Sequence, residues 1–123
     1  PSRSALIRSE WVKPGTHLSC IGSDMEGKQE LEEALLCRAR VFCDDRKQVI
    51  AVGECEKAVR QGLLPPEHIV ELGDVILGRA AGRERDDEIT VFDSTGIALQ
   101  DLRVAARVTE LAQARGLGRE LAL

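Results

Sequence analysis

The amino-acid sequence predicts an α/β fold: a parallel sheet with helices packed on it. Three observations carry this expectation. Short apolar runs that read as strands alternate along the chain with segments of helical spacing, the pattern of strands joined by helical crossovers. The aromatic residues number only one Trp and two Phe, with no Tyr, so the core has to be aliphatic. The length of 123 residues is roughly 0.8 of a typical domain, enough for one core and too little for two complete ones.

The elements follow in order. Pro14-Gly15 suits the corner of a type II turn within residues 11–16. His17-Leu18-Ser19-Cys20-Ile21 alternates apolar and polar residues and reads as a strand running into a loop at Gly22. Residues 32–39 carry Leu35, Leu36 and Ala39 at helical spacing, and Val41-Phe42-Cys43 reads as a second, buried strand. Asp45 and Gln48 form a capping pattern for a helix over residues 47–52, and another helix is expected over 54–60, ending near Gly62. Pro65-Pro66-Glu67 suits a helix start, with Ile69, Leu72, Val75, Ile76 and Leu77 as its apolar face and Gly78 or Gly82 as its end. Residues 88–93 alternate and read as a third strand. The last helix is expected over 95–115. Its polar residues Gln100, Arg103, Arg107 and Glu110 fall on one narrow stripe, and most of the remaining girth is apolar. A helix lying on one sheet face needs a single apolar face. This one is expected to be sandwiched between two bodies or to form the centre of one core.

Composition narrows the function classes. Apolar residues at 43% and charged residues at 31% describe a globular chain. The net charge of −4 and the scarcity of rings argue against a nucleic-acid or anionic-membrane surface. The sequence shows neither a secretory pattern nor a run of eighteen apolar residues, so a cytoplasmic chain is expected. Cys20, Cys37, Cys43 and Cys55 lack the close paired spacing of a zinc site and read as buried small hydrophobes in a reducing compartment, with no metal. Neither a Walker loop nor a G-x-S-x-G elbow occurs, and the single G-x-G, Gly116-Leu117-Gly118, follows a helix rather than a strand. The acidic runs at Glu30/Glu32/Glu33, Asp44/Asp45 and Asp86/Asp87/Glu88 read as caps and solvated turns.

Two loops stand out. Residues 22–28 follow a strand directly, and ligands of open parallel sheets sit at the carboxyl ends of strands. Gly22 and Gly27 let backbone approach a ligand, Asp24 can take or give a proton, and Lys28 can meet a carboxylate or phosphate. The second loop, Asp93-Ser94-Thr95-Gly96, joins a strand to the long helix. Ser94 or Thr95 reads either as a cap or as part of an anion-binding helix start.

These loops and their flanks resemble the ornithine cyclodeaminase/mu-crystallin family. The resemblance is carried by Trp11-Val12-Lys13-Pro14-Gly15-Thr16-His17, by Gly22-Ser23-Asp24-Met25-Glu26-Gly27-Lys28-Gln29-Glu30-Leu31, by Glu71-Leu72-Gly73-Asp74-Val75-Ile76-Leu77-Gly78-Arg79, and by the stretch from Asp87 to Asp101. Phe92-Asp93-Ser94-Thr95-Gly96 looks most like the alanine dehydrogenase branch. The resemblance implies an NAD or NADP cofactor on a Rossmann-type domain, a second domain that binds a small amino or imino acid and forms a homodimer, and hydride transfer at the amino-acid α-carbon through an imine. It implies Asp24 as the catalytic acid/base, with a pKa raised by burial beside the cofactor. It implies Ile21, Gly22, Ser23, Asp24, Lys28 and Ser94 as cofactor-binding residues, and Thr95 as a substrate-binding one.

The family's phosphate-gripping glycine loop does not occur in this sequence. The expectation is therefore the C-terminal half of a Rossmann-type sheet over residues 1–93, with a C-terminal helix over 94–123 returning to the substrate/dimerisation domain. A lone chain of this kind is expected to be inactive and to expose one sheet edge. The alternative expectation is a truncated, non-catalytic module that binds a partner or self-associates.

Overall fold

The computed structural model describes residues 2–119 and Leu121. Pro1 and the tail positions Glu120, Ala122 and Leu123, which bound the two expected segments, lie outside the described residues.

The chain folds as α/β with two parallel sheets. Strands β2 (His17–Cys20), β4 (Arg40–Cys43), β5 (Ile69–Glu71) and β6 (Thr90–Asp93) form a four-stranded sheet in the order β2-β6-β4-β5. Every pairing in it is parallel. Strands β1 (Arg3–Ile7) and β3 (Gln29–Leu31) make a separate parallel pair. The helices are α1 (Glu33–Arg38), α2 (Arg46–Val52), α3 (Cys55–Arg60), α4 (Leu72–Ile76) and α5 (Ala98–Ala114).

Alternation along the strands sorts the main sheet into two faces. Leu18, Cys20, Val91, Asp93, Val41, Cys43 and Ile69 share one face by register. That face is closed by Leu35 and Leu36 of α1, Val49 of α2, and Cys55 and Ala58 of α3, all fully buried. Burial of each large aliphatic side chain here stabilises the fold by roughly 1.5–3 kcal/mol. The opposite face is half-covered: His17 and Ser19 are exposed, and Leu72, Val75 and Arg83 border a groove over Phe42 and Thr90. The core is aliphatic apart from Phe42, as composition required.

Several expectations hold in detail. Gly15 has φ of +81°, as the Pro-Gly corner demands, and Thr16 N–H closes the turn onto the Lys13 carbonyl at 3.3 Å. The Asp45 carboxylate accepts from the Gln48 amide at 2.9 Å and caps α2. Cys20, Cys43 and Cys55 are buried and unpaired.

Others are corrected. The helix expected from Pro65 is instead a 3-10 turn (Pro66–His68), strand β5 and the short α4. The β-branched pair Ile69-Val70 finds an open sheet edge beside β4, and pairing Ile69 with Val41 buries Ile69 completely, which outweighs local helical spacing. The long helix starts at Ala98 rather than 95, with Ile97 at its N-cap and no side-chain cap, so neither Ser94 nor Thr95 caps it. It is not the centre of a core: every residue from Ala98 to Glu110 is exposed, with Leu99, Leu102, Val104 and Val108 at 59–64%. Cys37 is exposed rather than buried.

One close approach governs the junction of α2 and α3. A Cβ on Gly53 would lie 2.6 Å from Asp93 Oδ2 and 2.8 Å from the Val49 Cα. The second of these contacts is backbone and cannot swing away. Gly53→Ala is therefore expected to cost about 1–3 kcal/mol in urea unfolding. Gly73→Ala, in α4 with nothing near its Cβ position, is expected to be neutral or to stabilise by up to ~1 kcal/mol.

Candidate functional site

Strands β2, β6, β4 and β5 end together. Cys20, Asp93, Cys43 and Glu71 lie side by side in register, so the four strand-to-loop transitions open along one edge of the sheet. Both candidate loops leave from this edge, on neighbouring strands. The Ser94 amide donates to the Cys20 carbonyl at 2.9 Å, which continues the β2–β6 ladder one step into the loops. Ile21, at the tip of β2, is 74% exposed. Ile21, Gly22, Ser23, Ser94 and Thr95 are thus brought together at one place.

The first loop is held from below. Ser23 is buried, and its hydroxyl donates to the Glu54 carboxylate. The amides of Glu30 and Leu31 donate to the same carboxylate at 2.8–3.0 Å. The Gly27 amide donates to Glu56 at 2.8 Å, and Glu56 is also paired with Arg60. Asp24 and Lys28, four residues apart, form an ion pair on the outer side of the loop. Lys28 holds the Asp24 carboxyl below its ordinary pKa, first through its hydrogen bond and then through its charge. Asp24 is exposed in this chain, so Lys28 rather than burial sets the direction of its shift, which is opposite to that expected beside a bound cofactor.

The second loop is held by Asp44. Its carboxylate accepts from the Ser94 hydroxyl at 2.7 Å and from the Gly96 amide at 3.2 Å. The Gln48 side chain donates to the Gly96 carbonyl at 3.0 Å. The Thr95 hydroxyl is buried without a hydrogen-bond partner, next to this frame. The exposed aliphatic tip at Ile21, beside the Ser94 hydroxyl that Asp44 holds in place, fits a flat, weakly polar ring with an amide substituent, the reactive end of a nicotinamide cofactor. Among the described residues, no cluster of His, Cys, Asp and Glu is able to hold a metal ion.

Asp93 sits behind both loops. It is fully buried, its Oδ2 accepts from the Cys55 amide at 3.1 Å, and its Oδ1 has no partner. Burial raises its pKa from 3.8 to about 6, against the hydrogen bonds from Cys55 that lower it. The neighbouring thiols are held neutral: burial pushes Cys20 and Cys43 up to about 12 and Cys55 higher still. These cysteines are packing groups, not nucleophiles.

Asp44, Glu54, Glu56 and Asp93 are the residues that sequence reasoning missed. The Asp45–Gln48 cap gave the start of α2, but nothing local said that Asp44, one residue earlier, reaches across to residues 94–96. Glu54 and Glu56 carried no signal beyond their setting among the small residues Gly53 and Cys55.

The model of the ornithine cyclodeaminase/mu-crystallin family matches residues 1–116. The iminosuccinate reductase of Paracoccus denitrificans is 46% identical over 120 residues, covering 98% of this chain and 37% of that protein. Its crystal structure in complex with NAD+ superposes with a TM-score of 0.91, covering 99% of this chain and 38% of that one. The alanine dehydrogenase of Archaeoglobus fulgidus is 43% identical over 122 residues, covering 98% of this chain and 38% of that protein. An archaeal alanine dehydrogenase dimer with bound NAD superposes at a TM-score of 0.91 and 43% identity, covering 100% of this chain and 39% of that one. The Thermococcus litoralis Δ1-pyrroline-2-carboxylate reductase in complex with NADH and L-proline gives 0.90 at 26% identity, covering 98% of this chain and 38% of that one. The chain therefore spans 37–38% of the length of these two curated relatives.

The state of Asp93 makes stability depend on pH. Between 3.8 and about 6 the unfolded chain has released this proton while the folded chain still holds it, so stability falls as pH rises through that window. The expected loss is on the order of 2–3 kcal/mol. Asp93→Asn should abolish this component of the slope in urea unfolding measured from pH 4 to 7, and an unchanged slope would assign the effect elsewhere.

Proposed function

The chain belongs to the ornithine cyclodeaminase/mu-crystallin family, and on that premise we propose that it forms part of an NAD(P)-dependent amino/imino acid enzyme that moves hydride at the α-carbon through an imine. The observation that carries the reading is the pairing of the Asp24–Lys28 loop with the Ser94–Thr95 loop at the carboxyl edge of a parallel sheet. It is supported by relatives named as an iminosuccinate reductase and an alanine dehydrogenase, and by neighbours crystallised with NAD+, NAD, or NADH and L-proline.

The cofactor, when bound, supplies the hydride acceptor. Ile21, the main chain of Gly22 and Ser23, and Ser94, oriented by Asp44, would hold its reactive ring. The Ser23 side chain is committed to Glu54, so its contribution comes from its backbone. Lys28 holds Asp24 in place and ionised, ready to accept a proton as the substrate amine becomes an imine, and to return it in the reductive direction. Thr95 faces the substrate, where its unpaired hydroxyl finds a partner.

We divide the chain into residues 1–93, the second half of the nucleotide-binding domain, and 94–123, which return to a substrate and dimerisation domain. The uncovered apolar girth of α5 supports this division. Four unpaired cysteines fit a reducing, cytoplasmic setting. Among the described residues, no helix is long and apolar enough to cross a membrane. The second reading is a non-catalytic self-association module. It draws on the same exposed helix and on β2, which has a neighbour on one side only among the described strands.

Turnover separates the two readings. In the complete protein, Asp24→Asn is expected to lower amino-acid-dependent NADH formation by about 10²–10⁴-fold. NADH affinity, followed by fluorescence, is expected to stay within about threefold, because most binding energy lies elsewhere on the nucleotide. Unchanged turnover removes Asp24 from proton transfer. For the helix, Leu102→Glu is expected to weaken dimerisation in sedimentation experiments. An unchanged dimer would remove α5 from that interface.

A further inference from the structure

A buried carboxylate normally needs a cation or several donors to offset its desolvation. Glu54 is 1% exposed and is met by a hydroxyl and two main-chain amides, all from residues 23–31. Ser23 stands immediately before Asp24, and Glu30 and Leu31 stand just after Lys28 in β3. One side chain therefore grips both ends of the segment that carries the Asp24–Lys28 pair. Between these anchors, Glu56 takes the Gly27 amide. The two carboxylates come from the same turn of chain, so the middle and both ends of the loop are fixed to one rigid element at the start of α3.

We propose that Glu54 is the positioning residue for Asp24: it fixes residues 23–31 to the α2–α3 junction so that the Asp24 carboxylate is presented to the reacting amino acid in one geometry. This rests on the role given to Asp24 above. The coupling works in both directions. If the loop lifts, Glu54 is left as a buried charge without donors, so the loop cannot open without a large penalty. Hydrogen bonds to a charged acceptor are among the strong ones, and three of them converge here.

Glu54→Gln tests this with little change of shape. With the new amide nitrogen turned towards Ser23, whose hydroxyl then accepts, the remaining oxygen still takes both the Glu30 and Leu31 N–H groups, but as a neutral acceptor in place of a charged one, which weakens both bonds. Hydrogen exchange in the complete protein is expected to quicken at least ~10-fold at the amides of residues 30 and 31, with protection in β4 and β6 unchanged. Unchanged protection at 30 and 31, or an equal rise throughout the sheet, overturns the proposal, since Glu54 would then either not hold the loop or only support the fold. In turnover, kcat is expected to fall about tenfold while the KM for the nucleotide stays within about twofold. Adding Asp24→Asn to Glu54→Gln is expected to give the rate of Asp24→Asn alone; full additivity would show that Glu54 does not act through Asp24. If Glu54→Gln does not fold, Ser23→Ala leaves both amide bonds intact and is expected to quicken exchange at the bonded loop amides of Gly27 and Lys28 with residues 30 and 31 unchanged; unaltered exchange at 27 and 28 overturns the anchor. The exchange measurements read the loop directly, so they decide the anchoring even if Asp24→Asn proves fully active and the catalytic reading fails.

Discussion

The short turn from Gly53 to Glu56 is the constraint on which the candidate site depends. It brings three hydrogen-bonding positions to the back of two loops. The Cys55 amide meets Asp93 at the end of β6, Glu54 meets Ser23 and β3, and Glu56 meets Gly27. The contact with Asp93 exists only because Gly53 has no side chain. Each buried carboxylate is costly unless its donors are in place. The turn, the end of β6 and the first loop therefore fit together as a unit, and disturbing one leaves a charge or an amide unsatisfied in another. Lys57 extends the arrangement by donating to the Gln29 side chain at 2.7 Å and the Arg3 carbonyl at 3.1 Å, which ties the small β1–β3 sheet to α3.

Parallel topology decides which edge of the sheet is chemically useful. All four strands of the main sheet run the same way, so the carboxyl ends and the loops after them share one edge. That edge carries the groups left incomplete: the exposed Ile21, the orphaned Thr95 hydroxyl and the outward-facing Asp24–Lys28 pair. The amino edge is also grooved, around Arg38, Arg40 and Arg85, and two of these charges are paired within the chain. Arg40 pairs with Glu84, Arg85 with Asp87, and Arg38 donates to the Ser9 and Val12 carbonyls. Two of the groove's three guanidinium charges are thus offset by carboxylates within the chain, while Arg40 Nε is buried without a hydrogen-bond partner.

Local signals in the sequence gave local structure. The Pro14-Gly15 corner, the Asp45 cap and the alternation in β2 and β6 were readable because each depends on residues within a few positions. Strand β5 was not, because Ile69 becomes strand only once Val41 lies beside it, and that neighbour is far away in sequence. Strands β1 and β3 escaped for the same reason: each is short and exists by pairing with the other. In the candidate site, the two loops were legible as strand-to-loop transitions, but the carboxylates that hold them were not. Glu54 and Asp44 look like ordinary surface acids until the fold shows which amides they reach. The electrostatic state of Asp24 was also out of reach, because its value follows from what covers it.

The uncovered helix and the uncovered aspartate have a common origin on the proposed reading. Residues 94–97 run from the end of β6, beside the site, directly into α5. A helix of 17 residues standing clear of the core is marginal on its own, and the Arg107–Glu110 pair adds only a few tenths of a kcal/mol. Its leucines and valines gain their full worth only against another body, and the stripe of Gln100, Arg103, Arg107 and Glu110 limits that contact to the remaining girth. Because α5 springs from the same edge that carries Asp24, on the proposed reading a body covering the helix would also close over the loop. Closure removes water from the Asp24–Lys28 pair, and desolvation then works against the lowering by Lys28. On that reading the carboxylate is a weak base in the exposed loop, and enclosure would raise its affinity for a proton. On the proposed reading the two exposures share one cause, seen at the helix and at the loop.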